Sequence, residues 1–484
     1  VVSGSYPRIG GLGGVEGFRR RIDELGIELP ADEAIAPAAS SPLAQPLPLP
    51  REGRLPSRCA NRFVIHPMEG WDGTAEGEPS DLTVRRWQQF GRSGAGLIWG
   101  GEAVAVQEDG RANPRQLWIN ERTAPAIGGL RRALLDAAGD HSPVIGLQLT
   151  HSGRWSQTAR RTPAPRIAHR HPLLDRRVGI ADDSSVLTDA ELDRLAQSFA
   201  RAAHLAQQEG FDFVDIKHCH GYLLHECLAA RRRPGAYGGP TLEERTRLLR
   251  AVIAAVRDAA PGLAIAVRLS VFDLVPHRPA YVGDDGRLGP GTPEPTNLPY
   301  EHGFGVDALH PECIDLREPI AVAEILRDLG VRLLNVTAGS PYYVPHVQRP
   351  AAFPPSDGYA PPEDPLVGVA RLLHAARVVK TEVPELLVVS TGWTYLQDFL
   401  PHVAQATLRA GWFDAVGIGR LVLSYPELPC DLLSDKRLDR KRICRTFSDC
   451  TTAPRKGLVS GCYPLDPFYR NRPEHMELKR LKTI

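Results

Sequence analysis

Four ionisable side chains, Lys217, His218, His220 and Tyr222, crowd into one short stretch of a 484-residue chain. A lysine at the tip of a strand becomes a Schiff-base nucleophile when burial or a neighbouring positive charge depresses its pKa. The imidazoles of His218, His220 and His225 raise the separate question of a metal. His218 and His220 could share a face only if the strand is still extended there, and no carboxylate stands at ligand spacing, so no metal is expected there.

The elements that must position these groups can be read outward from them. Phe211 to Ile216 is a short apolar run of aromatic and β-branched residues, the pattern of a parallel strand covered on both faces. After a loop ending in Tyr237-Gly238-Gly239, Thr241-Leu-Glu-Glu244 reads as a helix capping box, and Leu248, Leu249, Val252, Ile253 and Val256 keep helical spacing. Strand, polar tip and helix follow one another, and in α/β barrels catalytic groups sit on such tips. The same alternation recurs along the chain. Strands are expected at Phe63 to Ile65, within Gly94 to Val106, at Val144 to Thr150, at Ile265 to Leu269, at Val331 to Val336, at Leu386 to Val389 and at Ala415 to Ile418. A second capping box, Thr188-Asp-Ala-Glu191, opens a helix with Leu192, Leu195, Phe199, Ala202 and Ala206 on one face. Eight strands with helices between them predict an α/β fold, a parallel (β/α)8 TIM barrel.

The strand followed by His-Gly-Tyr-Leu, then Tyr-Gly-Gly and Glu-x-Arg, resembles the old yellow enzyme family of FMN-dependent ene-reductases and NAD(P)H:flavin oxidoreductases. The likeness runs from about Pro48 to Pro467, with Asn61-Arg-Phe-Val-Ile-His-Pro67-Met68 and Gln148-Leu-Thr-His151-Ser-Gly153-Arg154 in the same order as in the family. It implies FMN as cofactor and NADH or NADPH as electron donor. Pro67, Met68 and Glu69 would lie against the flavin, Ala103 would let the ring approach the backbone, and Gln148 would meet the pyrimidine edge, where an amide both donates and accepts. Arg268 would stabilise negative charge on the reduced ring. Gly392, Gly419 and Arg420 follow the last two strands, where barrels commonly bind phosphate. Tyr222 would protonate an activated alkene while Lys217 and His220 hold its oxygen atom.

The chain departs from the family at Lys217, where members usually carry histidine. A full charge beside the flavin favours a small-molecule substrate that is anionic or enolisable, unless Lys217 pairs with Glu69 or Glu102 instead. The same site run backwards would be a dehydrogenase or oxidative demethylase. A Schiff-base lyase using Lys217 and a non-catalytic flavin-binding module are the other readings. A yellow protein with a flavin spectrum favours the oxidoreductase; a colourless one trapped by borohydride favours the lyase.

The remainder divides into an N-terminal extension at 1–47, a barrel at 48–430 and a C-terminal arm at 431–484. Val15 to Leu25 can form an amphipathic helix, while Pro30 to Pro50 reads as a stiff tether. The glycines at 10 to 17 follow no strand, so they form no phosphate loop. The long segment from Phe272 to Ile314, after the fifth strand, is expected to cover the mouth as a lid. Some members of the family that the chain resembles bind a 4Fe-4S cluster here through four cysteines; this chain has Cys444, Cys450 and Cys462 but Phe447 at the second position, so the arm is expected to pack rather than carry a cluster. Net charge is +1 with both signs interspersed, which points to neither nucleic acid nor membrane as partner. Eight scattered cysteines and no signal-like segment suggest the cytoplasm, with a homo-oligomer possible.

Overall fold

The computed structural model describes residues 6–284 and 286–483. Nine parallel strands close into one barrel: β1 (Phe63–Ile65), β2 (Leu97–Ile98), β3 (Ala103–Ala105), β4 (Val144–Thr150), β5 (Phe213–His218), β6 (Ala264–Ser270), β7 (Leu333–Thr337), β8 (Leu387–Ser390) and β9 (Ala415–Ile418). The architecture is the expected (β/α)8 barrel with its second strand broken in two. The chain leaves the sheet at Gly100-Gly101, so β2 pairs with β1 and β4 while β3 continues along β4 alone. Pairing of β9 with β1 closes the ring.

Every residue of β4, β5 and β6 is buried, which is why these strands read as unbroken apolar runs rather than alternating ones. Their register sets Gln148 beside Asp215 and Lys217 beside Arg268. Both capping boxes form with reciprocal hydrogen bonds. The Thr188 box caps the helix Asp189–Gln208, whose buried face carries Leu192, Leu195 and Phe199. The Thr241 box caps only one turn, Leu242–Arg245; after a break at Thr246 the helix resumes as Arg247–Ala259. Apolar burial against the sheet, at roughly 1.5–3 kcal/mol per large side chain, outweighs a cap worth about 1 kcal/mol.

The extension is packed against the barrel and is not the stiff tether expected, although its first residues, 1–5, lie outside the described residues. Helix Val15–Glu24 buries Phe18 and Ile22, and Phe18 stacks on Phe399 at 4.5 Å between ring centroids. Gln405 accepts from the amide of Ala36 at 3.0 Å and donates to the carbonyl of Ala34 at 2.6 Å. Leu29, Leu43 and Leu47 are buried among the prolines. Proline content stiffens a segment but does not stop interspersed leucines from docking, and here the burial decides. The short strands Leu47–Pro48 and Arg58–Cys59 pair, and their Leu47 and Cys59 pack with Val64, Trp99, Phe213 and Ala264 in a separate apolar cluster.

The segment 272–314 does not act as the expected lid. Leaving aside Asp285, which lies outside the described residues, it forms a small antiparallel hairpin, His277–Pro279 with Gly291–Pro293. Its Glu294 pairs with Arg176 and Arg177, and Tyr300 hydrogen-bonds to His171 at 3.1 Å. None of its described residues lines the cavity described next.

Candidate active site

An open cavity of ≈ 1290 Å³, counted with its mouth, lies at the carboxyl ends of the strands. The turn after β1 supplies Pro67, Met68 and Glu69, β4 supplies Gln148, and β5 with its tip supplies Lys217, His220 and Tyr222. Arg268 enters from β6, Gly392 from the turn after β8, and Gly419 and Arg420 from the turn after β9. Ala103 is the exception. It is buried beside Gln148 in the ladder, its carbonyl accepting from Gln116 Nε2 at 3.0 Å, and it does not line the cavity.

The backbone fixes this wall. Met68 donates its amide to the Gly101 carbonyl at 2.7 Å, so the break in the second stave holds the turn after β1. Gln148 Nε2 donates to Asp215 Oδ2 at 2.6 Å, and Asp215 Oδ1 accepts the amide of Arg268 at 2.7 Å. Burial pushes the Asp215 carboxyl up to about 6, against the pull of Gln148 and Arg268. Asp215 was not legible as a site residue because it lies inside an apolar strand, yet it orients the Gln148 side chain and ties to the backbone of Arg268.

Strand β5 continues through His218, two residues beyond the expected end. Lys217 therefore projects into the cavity from the strand itself, while His218 turns away with Nδ1 bonded to the Ile216 carbonyl at 3.0 Å. His225 Nδ1 accepts the Gly221 amide at 3.0 Å. Among the described residues, no group of three or more His, Cys, Asp or Glu is placed to hold a metal ion.

At the tip the chain reverses through His220 and Gly221, at φ of 66° and 72°. A Cβ on Gly221 would lie 2.9 Å from the Tyr343 ring, so only glycine fits. Tyr222 then stands just before helix Leu223–Leu228. The helix docks because Gly153 has no side chain: a Cβ there would meet Leu223 Cα at 2.9 Å. The His151-Ser-Gly153-Arg154 motif thus places Tyr222 mechanically.

The Tyr222 hydroxyl donates to Glu69 Oε2 at 3.3 Å and shares a hydrogen bond with the Tyr342 hydroxyl at 3.1 Å. Lys217 Nζ lies 3.8 Å from the centroid of the Tyr222 ring and 3.9 Å from Glu69 Oε2. Glu102 is not available to Lys217, since it pairs with Arg86, which also binds Asp72. Burial, then the Glu69 carboxylate, hold the Tyr222 phenol well above its ordinary pKa. Burial likewise raises Glu69, with Lys217 opposing. Burial, followed by Arg268 and Lys217, drives His220 well below its usual value, so its imidazole is neutral; Nε2 bonds to Thr337 Oγ1 at 3.3 Å.

Several lining residues come from segments that carried no sign of a place at this cavity. Tyr342 and Arg349 belong to the loop after β7, and Cys450 and Arg455 to the C-terminal arm. Tyr342 stacks on Trp155 at 4.2 Å with planes 10° apart. Arg455 donates to the Pro341 carbonyl at 2.9 Å and pairs with Asp357. The arm expected only to pack therefore also walls the cavity.

The donor set suits a flat ligand with anionic ends. Arg268 is 6 % exposed and its Nε has no partner, a rare state for a buried guanidinium. Arg420 shares the cavity with the glycine turns at 392 and 419. These groups would suit FMN: Arg268 and Gln148 could hold the ring, and the 392 and 419–420 turns the phosphate.

A barrel with this mouth suits a flavin-dependent oxidoreductase, and the comparisons bear on that reading. Residues 56–282 match the NADH:flavin oxidoreductase / NADH oxidase family. An NADPH dehydrogenase of Geobacillus sp. is 28% identical over 291 residues, covering 58% of this chain and 69% of its own length. One from Listeria monocytogenes is 33% identical over 221 residues, covering 44% of this chain and 60% of its own. In structure, 2-naphthoyl-CoA reductase aligns at a TM-score of 0.65 and 18% identity over 89% of this chain and 57% of that one. The old yellow enzyme homologue of Zymomonas mobilis aligns at 0.55 and 22% over 82% and 94%; at such identities the likeness shows the fold. Residues 56–282 are thus similar to the NADH:flavin oxidoreductase / NADH oxidase family, and the barrel shares the fold of the old yellow enzyme homologue.

Proposed function

We propose that the whole protein is an FMN-dependent NAD(P)H oxidoreductase that reduces an activated alkene whose oxygen substituent is anionic or enolisable. The observation that carries this reading is a protonated phenol, Tyr222, held between Glu69 and Tyr342 in the cavity that Arg268 also enters. Bound there, FMN would supply the two-electron step between the nicotinamide and the substrate.

The chain's own groups supply the rest. His220, neutral and anchored on Thr337, offers a hydrogen bond to the substrate oxygen. Lys217 adds a charge on the same side, and attraction in a partly desolvated site exceeds that in water. Tyr222 delivers the proton to carbon, and Tyr342, in contact with its hydroxyl, fixes the direction of that O–H. Arg268 offsets negative charge where the pyrimidine edge would lie.

Heat release from purified protein, followed by chromatography, should yield FMN, and anaerobic NADPH or NADH should bleach the bound flavin. Recovery of FAD, or of no flavin from a folded preparation, would overturn the reading.

A further inference from the structure

Arg349 is 9 % exposed and lines the cavity from the loop after β7. Its Nη2 donates to Ser448 Oγ at 2.8 Å, while Nη1 is buried without a partner. Arg420 lines the same cavity, and after the larger effect of burial its guanidinium disfavours the charge on Arg349. Neither forms an ion pair with a carboxylate among the described residues. An arginine does not escape such a place by losing its proton. Two like charges and an unsatisfied donor in one pocket call for an anion.

The structure holds Arg349 there deliberately. The arm segment 446–452 is stitched to residues 349–356: the Ala352 amide donates to Thr446 Oγ1 at 3.0 Å, the Ser356 amide donates to Thr452 Oγ1 at 3.2 Å, and Ser448 Oγ donates to the Phe353 carbonyl. Phe353 stacks on Phe447 at 5.6 Å. Thr446 and Ser448 sit at φ of 56° and 66°, a conformation that costs free energy and persists where surrounding contacts enforce it.

We propose that Arg349, braced by Ser448, is a second guanidinium on the FMN phosphate, facing Arg420, so that the C-terminal arm takes part in cofactor binding. The inference rests on the FMN reading above. The expected geometry is a dianion between two forks, a charge-assisted arrangement stronger than neutral hydrogen bonds.

The test titrates apo-protein with FMN and with riboflavin, which lacks the phosphate, by quenching of flavin fluorescence. Arg349→Met should raise the Kd for FMN roughly tenfold to hundredfold and leave that for riboflavin unchanged. Arg349→Lys should recover part of the loss, and Ser448→Ala, which keeps the charge but removes its brace, should show a smaller loss confined to FMN. Equal weakening of both flavins in Arg349→Met, or no change in either, would overturn the proposal. If wild-type protein binds neither flavin, the FMN reading itself fails, and with it this inference.

Discussion

Tyr222 and Lys217 touch, yet their roles separate experimentally. Tyr222→Phe removes a proton and leaves ring and cation in place, so alkene reduction should slow by about 100-fold or more while flavin reduction by NAD(P)H is nearly unchanged. Equal turnover in a stopped-flow comparison would assign the proton to another group. Lys217 rests against Glu69 at 3.9 Å, longer than a tight ion pair, and burial works against the Glu69 charge. Its ammonium is therefore only partly compensated and remains open to an anionic ligand. Lys217→Met should weaken a para-substituted phenolate by about tenfold, read from the long-wavelength charge-transfer band expected of this family. Identical affinity and pH dependence in the two proteins would mean that the charge plays no part in recognition. Lys217, His220 and Tyr222 were legible because a strand and a turn bracket them in sequence. Tyr342, Arg349 and Arg86 were not, since each lies in a segment whose local pattern says nothing about which strand end it meets.

At the level of elements, the loop after β6 is fastened rather than free. Asp273 accepts from the Tyr343 hydroxyl and from its neighbour's amide at Leu274, tying this loop to the one after β7. Burial pushes its carboxyl up to about 7 from an ordinary 3.8. Between these values the folded protein keeps the proton that the unfolded chain has lost, so the group's contribution to stability declines as pH rises from about 4 to about 7. Asp273→Asn should remove that component of the slope, on the order of a few kcal/mol, seen as the mutant-minus-wild-type difference in urea midpoints across this range. A difference that stays constant with pH would show that Asp273 does not titrate there. The strands themselves were readable from their apolar runs, whereas the split of the second stave was not: Gly100-Gly101 marks a turn, but pairing β3 to β4 alone is decided across the sheet. Segment length suggested a lid at 272–314, and length alone could not reveal that Glu294 and Tyr300 moor it away from the mouth.

For the molecule as a whole, alternation of strands and helices was enough to give the barrel, because each strand pairs with neighbours in the order in which the chain supplies them. The two terminal segments were read less well, since composition reports stiffness and polarity but not docking. Phe18 on Phe399 and Arg349 on Ser448 are contacts between residues hundreds and about one hundred positions apart, respectively. No helix among the described residues is long and apolar enough to cross a membrane. The wall built from residues 450–460 also sets an order of events during biosynthesis. A ribosome delivers β1 through β9 before it delivers Cys450, Thr451 and Arg455, so the nascent barrel meets solvent with one side of its mouth still missing. On the proposal that the arm braces Arg349 against the FMN phosphate, lasting capture of the cofactor would wait until residues 446–460 are made, and a chain stalled or clipped after β9 would have its strands complete and that side of the cavity open.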